Sequence, residues 1–481
     1  METSTKRHPL IEELSTSLTA PLAFELFKDR PFAFFLDSGM DPEKLGRYSF
    51  IGSAPFLVLR SYGKQISLIY SDRREIIVGN PFDVLGEMLE KYALDPCPSP
   101  TPLIGGAVGY FSYDLCHFIE RLPSTAIDDL QLPECYLAFY DALLAFDNLE
   151  GRAYIASTGF PELDEAKRMR RAGERLEELR GLLAETPYSE VALSAKNSKK
   201  TKMRANFTPE QYVKAVAAAR EYICAGDIFQ VNLSQRFEAD LPISPYELYR
   251  RLRLINPAPF ASYLNFDGVA VASASPERFL RVKGDIVQTR PIKGTRPRGR
   301  SPEEDEALAR ELLQSIKDRA ENVMIVDLER NDLGRVCRYG TVRVRELWAL
   351  EKYATVFHLT STVEGRLRGD KNRIDLLKAT FPGGSISGAP KVRAMEIIDE
   401  LEPTRRSAYT GSIGYLSFSG EMDLNIVIRT FIIKDGKAYF QVGGGIVYDS
   451  DPEAEYLETL DKARALIEAL ELSPQLAMEV R

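Results

Sequence analysis

Two periodicities alternate along the chain and divide it into strands and helices. Period-two runs at residues 56–60 and 65–70 predict strands within a first stretch, 1 to about 160, that reads as mixed strand and turn around a proline-rich loop at 96–102. From 162 to 185, Leu163, Ala166, Met169, Leu176, Leu179 and Leu183 recur near helical spacing in a highly charged segment. Residues 186–206 are polar, with Lys199, Lys200 and Lys202, and read as a solvated linker. Thr208-Pro209-Glu210-Gln211 then has capping-box spacing with proline at the first helical position; Val213, Val216, Ala217 and Ile223 supply an apolar face and Gly226 ends the helix. Period two returns at 228–237, with Gln230, Asn232, Ser234 and Arg236 on a polar face and Phe229, Val231, Leu233 and Phe237 on an apolar one. Ser301-Pro302-Glu303-Glu304 caps a helix predicted to run through Leu308, Leu312 and Ile316 towards Glu321. Strands at 425–434 and 437–442 flank the hairpin signal Asp435-Gly436, and a last helix opens at Asp451-Pro452. Strand runs interspersed with capped helices, with no regular βαβ alternation, predict an α+β fold. The expected division is an N-terminal domain at 1–190, a linker at 191–206, a second domain at 207–470 and a tail at 471–481.

Composition narrows the chemistry. With 481 residues, 44% of them hydrophobic, the chain has ample material for a core, and disordered or fibrous classes are excluded. Its net charge of -8 offers no bulk attraction to nucleic acid or an anionic membrane, so an anionic ligand must be held by a local site. Cys97, Cys116, Cys135, Cys224 and Cys337 are scattered and never in a Cys-x-x-Cys pair, which argues against a disulfide framework or structural zinc. No apolar run near the N-terminus matches a signal peptide, and none approaches the ~18 residues of a membrane span. A reducing cytoplasm is expected. Three histidines are too few for a multi-histidine metal site, so any metal would be held by carboxylates, which makes Mg2+ the leading candidate.

Five constellations could carry chemistry, each with a bland alternative. Glu455, Glu458 and Lys462 share one stripe of the last helix just after Gly443-Gly444-Gly445, either as solvated helix surface or facing a ligand that the glycines let approach. Asp318 and Glu321 form a similar pair. The turn from Phe381 to Lys391 opens a helix near Pro390; it departs from the Walker pattern, and is either a tight turn or a site whose free N–H groups suit a carboxylate. Residues 290–298 concentrate cations around Lys293, a surface basic loop or the setting of a nucleophilic lysine. His358 shares a strand face with Thr360 and Thr362, as a satisfied core residue or a participant in chemistry.

Pro291-Ile292-Lys293-Gly294-Thr295, the segment 327–334 (DLERNDLG), the 381–391 turn and the run 443–462, in this order, resemble the chorismate-utilising enzymes over nearly the whole chain. That resemblance implies an anthranilate synthase component I-like fold: antiparallel sheets in a sandwich with helices outside, and a chorismate-binding catalytic domain at 207–470. It also implies roles. Glu321 and Glu458, with Glu455 close by, would bind Mg2+. Tyr409, Arg429 and Gly443, Gly444 and Gly445 would hold the enolpyruvyl carboxylate, helped by Lys462, with Gly294, Thr295 and Ser385 also lining the substrate site. Glu277 would act as acid/base at the departing C4 hydroxyl, and His358 would shape the C2 side.

Two positions sort members of this family. Those that add water carry lysine where this chain has Gln230, whereas ammonia users carry glutamine. Anthranilate synthases usually read Pro-Ile-Ala-Gly-Thr where aminodeoxychorismate synthases read Pro-Ile-Lys-Gly-Thr, so Lys293 implies aminodeoxychorismate synthase component I over anthranilate synthase component I. Lys293 would then be a covalent nucleophile, with burial, Mg2+ and Arg290 or Arg296 lowering its pKa. With no Gly-x-Cys-x-Gly glutaminase segment, ammonia would come from a separate glutamine amidotransferase subunit, and a separate aminodeoxychorismate lyase would act downstream. Leu36-Asp37-Ser38 with Arg47 and Tyr48, together with Pro259-Phe260, matches the tryptophan pocket of the family, although the usual Pro-Tyr-Met is Pro259-Phe260-Ala261 here.

Overall fold

Neighbouring side chains of a strand face opposite ways, and in the strand Ala33–Asp37 this sends Phe34 and Phe35 into two different cores. Phe34 joins a core between two antiparallel sheets, where Leu57, Leu59, Leu264, Val271, Leu280 and Val282 meet. Phe35 joins a second core, between the outer face of the first sheet and the helices Glu165–Ala184, Pro245–Ile255 and Pro452–Ala469. The fold is therefore α+β, a sandwich of two antiparallel sheets with helices packed outside, as expected. This is a computed structural model, which describes residues 6–184, 202–353 and 356–470. Lys199, Lys200, most of the 191–206 segment and the tail 471–481 lie outside the described residues.

Both sheets draw strands from both sides of that segment. In the first, Ala33–Asp37 pairs with Phe260–Phe266 (Phe34 opposite Leu264); in the second, Gly106–Phe111 pairs with Ser412–Ser417. The boundary read at 191–206 marks a change of composition, while backbone hydrogen bonding runs across it. Residues 203–205, placed in the linker, form an edge strand on Gln230–Asp240.

Three local expectations are corrected. The helix expected at 301–321 is two, Pro302–Gln314 and Ile316–Gly334. Ser315 breaks it: its backbone is extended and its Oγ accepts from the Asp318 N–H at 3.2 Å, capping the second helix and leaving Ile316 in solvent. The strand expected at 425–434 is interrupted, because the chain leaves the second sheet after Met422–Asn425 and enters the first at Thr430–Lys434, with Arg429 left-handed (φ 54°) at the crossing. Phe229, assigned to an apolar strand face, is 72% exposed just outside Gln230–Asp240, whereas Gln230, on the face read as polar, is 1% exposed. That polar face is buried, with Gln230 against Gly445, Ser234 bonded to Glu402 and Arg236 paired with Asp129.

Candidate active site

Gly443, Gly444 and Gly445 lie on the strand Lys437–Ile446, opposite Ser234, Leu233 and Asn232 of Gln230–Asp240. A methyl group added at Gly444 would stand 3.1 Å from Glu455 Oε2 and 3.6 Å from both Glu458 Oε1 and Lys462 Nζ. One added at Gly445 would fall 2.2 Å from Gln230 Nε2 and 3.3 Å from Lys293 Nζ. The missing side chains are thus what leaves room between the strand, the last helix and Lys293. Glu455, Glu458 and Lys462 do face the glycines: Lys462 Nζ donates to the Gly443 carbonyl at 2.9 Å and pairs with Glu458 at 2.7 Å, while Ser450 donates to Glu455 Oε1 at 2.6 Å.

Lys293 reaches this point through a bulge. Between Ile292, opposite Thr360, and Thr295, opposite His358, the strand Ile292–Pro297 carries one more residue than its partner, with Gly294 at φ 87°. Such an insertion re-aims a side chain, and at Gly294 any Cβ would press within about 3 Å of Leu312 and Asp318 on the two helices behind it. The second of those helices, Ile316–Gly334, carries Glu321 into electrostatic reach of Lys293 and Glu458. Glu277 is buried on the other side of Lys293, beside Ser385, with its Oε1 accepting from the Ile292 N–H at 3.3 Å. His358 is buried with Nδ1 2.9 Å from Thr295 Oγ1. Tyr409 is buried, and Arg429 lies in electrostatic reach of Tyr409, His358 and Glu458 with no ion pair or hydrogen bond to its guanidinium among the described residues.

Exposure rises from Gln230, Glu277 and His358, all under 7%, to Lys462 at 28% and Glu458 at 52%, which makes the first three the floor of a cleft and the last helix its mouth. Burial sets the protonation on that floor. It pushes the Glu277 carboxyl up to about 7 and the His358 imidazole down to about 4, so at neutral pH Glu277 can hold a proton while His358 is neutral. Burial lowers the Lys293 ammonium, and the Lys462 charge adds to this against the opposing pull of Glu321, Glu277 and Glu458. Arg290 and Arg296, expected to help, are neutralised elsewhere: Arg290 by Glu351 and Glu346, Arg296 by Glu311 and Asp318. At Glu458 burial alone would raise the pKa, but the charges of Lys462, Lys317 and Lys293 together outweigh it and leave the carboxylate ionised.

The three carboxylates proposed for a metal do not form a closed cage. Among the described residues no three His, Cys, Asp or Glu side chains stand close enough to hold an ion by themselves. Glu321, Glu458 and Glu455 Oε2, which has no hydrogen bond among the described residues, nonetheless converge on one cleft as hard oxygen donors, which fits Mg2+, an ion that takes one or two carboxylates and fills its octahedron with substrate and water.

The glycine-rich turn does bind a carboxylate, but an internal one. Gly384 N–H donates to Glu329 Oε1 at 3.0 Å, and Lys391 pairs with Asp332 and donates to the Thr380 and Pro382 carbonyls at 2.8 Å. Glu329 and Asp332 thus pin the turn to the helix Ile316–Gly334. Their i, i+3 spacing was readable, but partners more than fifty residues away were not. Gln230, the position that the resemblance ties to ammonia use, is in the cleft, and its Oε1 is a buried acceptor with no hydrogen-bond partner among the described residues. Leu36, Asp37, Ser38, Arg47, Tyr48, Pro259 and Phe260 line a separate cavity of about 170 Å³. Within it Asp37 is held by Tyr249 Oη at 2.8 Å and by Arg253, and Arg47 by Asp147 at 2.6 Å.

Comparison with known proteins meets this geometry over its full length. A family model described as chorismate binding enzyme matches residues 41–468. Anthranilate synthase component 1 of Acetivibrio thermocellus is 43% identical over 469 residues, 96% of this chain and 95% of that one. Aminodeoxychorismate synthase component 1 of Bacillus subtilis is 41% identical over 431 residues, covering 89% and 90%. The crystal structure of anthranilate synthase component I from Streptococcus pneumoniae superimposes with a TM-score of 0.77 at 33% identity, covering 94% of this chain and 98% of that one. A match spanning both sheets, the glycine strand and the last helix leaves no part of the cleft outside it, and the chain belongs to the chorismate binding enzyme family.

Proposed function

We propose that the chain is aminodeoxychorismate synthase component I, converting chorismate and ammonia to 4-amino-4-deoxychorismate for 4-aminobenzoate and folate synthesis. The observation that carries this reading is Lys293, a half-buried lysine whose amine stands beside Gln230, Gly445 and Glu277 where the anthranilate-forming pattern has alanine. Neutral Lys293 Nζ attacks C2 of the ring. The ring double bonds shift, and the C4–O bond breaks as Glu277 gives its proton to the departing hydroxyl, which leaves as water. Ammonia then bonds to C4, the double bonds return and the C2–N bond to Lys293 breaks. Arg429, Tyr409 and the glycine backbone hold the enolpyruvyl carboxylate, Gln230 offers its free acceptor to ammonia, and His358 contributes a neutral wall. Glu321 and Glu458, with Glu455, would hold Mg2+, which supplies electron withdrawal from the ring carboxylate when bound.

A second reading is anthranilate synthase component I, and a specific observation favours it: that is the commoner name among the similar proteins, at 40–43% identity against 41% for the aminodeoxychorismate synthase. By sequence likeness it is the better supported of the two; position 293 points the other way. The purified chain incubated with chorismate, Mg2+ and ammonium at alkaline pH is expected to yield 4-amino-4-deoxychorismate, identified by mass. Anthranilate and pyruvate as the main products would establish the second reading instead. Glutamine is expected to support turnover only when a glutamine amidotransferase subunit is added, and a separate lyase would consume the product. Free thiols at all five cysteines support a cytoplasmic setting, and no described helix is long and apolar enough to cross a membrane. The cavity at Asp37 and Phe260 is read as an effector pocket for tryptophan.

Glu458→Gln removes one anionic oxygen, so the Mg2+ concentration for half-maximal turnover is expected to rise about tenfold or more, and Mg2+ to lose its protection against thermal unfolding. An unchanged Mg2+ titration would remove Glu458 from the ligand set.

A further inference from the structure

A deeply buried ion pair lies behind the cleft and touches none of the reacting groups. Glu402 and Arg406 follow the helix Lys391–Leu401, with side chains 2% and 1% exposed and bonds of 2.7 Å (Nη2 to Oε1) and 2.9 Å (Nε to Oε2). Desolvating two charges is costly, and apolar side chains of similar volume are often as stable or more so, so stability alone does not account for such a pair. Its remaining hydrogen bonds do. Glu402 Oε1 accepts from the Ser234 N–H at 2.8 Å and from Ser234 Oγ at 2.7 Å. Arg406 donates to the Asn232 carbonyl at 2.6 Å and to the Ile386 carbonyl at 2.9 Å.

Those contacts fall on the two segments that frame the cleft. Ser234 and Asn232 are the cross-strand partners of Gly443 and Gly445, on the strand that begins with Gln230. Ile386 follows Ser385, which lies beside Glu277. Arg406 also stands over the Tyr113 ring at 4.9 Å and 5.9 Å from the centre of Tyr409. One guanidinium and one carboxylate therefore tie the strand bearing Gln230, together with its glycine partner, to the turn bearing Ser385.

We propose that Glu402 and Arg406 are positioning residues that set the separation between the glycine strand with Gln230 and the Ser385 turn beside Glu277. Resting on the chorismate-amination reading for its substrate, the pair keeps the leaving hydroxyl aligned with the Glu277 carboxyl. Apolar replacements can fill the volume but cannot hold backbone groups of two segments in register.

Two variants test this. Arg406→Lys keeps a cation for Glu402, but one ammonium lacks the planar fork that serves Glu402, Asn232 and Ile386 together. The double variant Glu402→Leu/Arg406→Met removes both charges and so leaves no unpaired ion, but it strands the Ser234 N–H and the Asn232 and Ile386 carbonyls, so its thermal midpoint is expected to lie below that of the wild type while the chain still folds. A displacement of about 1 Å at a reacting group can cost about 10²-fold, so in both variants kcat for chorismate is expected to fall by roughly that factor, with a smaller change in KM. Hydrogen exchange should quicken together at 230–234 and 384–388. A double variant that folds and retains the wild-type kcat overturns the proposal, as does unchanged exchange in both segments. The exchange result needs no substrate, so it decides the clamp even if the wild type proves not to aminate chorismate, an outcome that would count against the amination reading alone.

Discussion

Lys293→Ala is expected to lower formation of 4-amino-4-deoxychorismate by about 10³-fold or more, because the group that opens the first step is gone. Lys293→Arg should do no better. A guanidinium stays charged and has no lone pair to give, although it could pair with a carboxylate. The contrast separates a nucleophile from a counter-ion: substantial 4-amino product from Lys293→Arg would assign the lysine to charge pairing. Only roughly one ordinary lysine in a thousand is neutral near pH 7.4, and burial between Gln230, Glu277 and the glycine strand shifts Lys293 towards its neutral form. Intact-protein mass spectrometry of an ammonia-free reaction should reveal a chorismate-derived adduct on the wild type and none on Lys293→Ala. An adduct-free wild type would refute the covalent route.

Glu277→Gln is expected to cost about 10²- to 10³-fold in kcat with little change in KM, since hydroxide is a poor leaving group and an amide cannot protonate it. The pH profile gives an independent check. With the carboxyl pushed up to about 7 by burial, the proton-bearing form dominates below that pH and is lost above it. At a fixed concentration of free ammonia, a plot of log kcat/KM for chorismate against pH should therefore bend downward as pH rises through about 7. Deprotonation of Lys293 acts in the opposite sense, adding activity as pH rises. Glu277→Gln should abolish the bend and keep the rise; a bend that survives the substitution would assign that proton to another group.

Much of the cleft was legible because its residues sit in short contiguous motifs. Gly443, Gly444 and Gly445 precede Glu455, Glu458 and Lys462 by about one loop and three helical turns, so local geometry alone brings them face to face. The period-two pattern around Gln230 put that side chain on a polar face, and the absence of a glutaminase cysteine and the scarcity of histidine constrained the chemistry before any contact was known. The α+β class followed from capped helices between alternating runs.

Tertiary structure decided whatever depends on partners distant in the chain. Whether a face of alternating polar residues meets water or a cleft is a matter of what packs on it, and Gln230 is buried only because Lys293 and the glycine strand cover it. Period counting could not see that Ser315 would cap a new helix, since a serine oxygen competes locally with an otherwise continuous apolar pattern. Nor could composition show that both sheets run across the polar segment, because backbone hydrogen bonds are indifferent to which half of the chain supplies the neighbour. The charged residues were the least legible of all. Arg290, Arg296, Glu329 and Asp332 are neutralised or pinned by partners that sequence spacing leaves unspecified. What the residues themselves determined is the set of chemical groups this protein can bring to chorismate; their protonation and alignment come from burial and from contacts that only the folded chain makes.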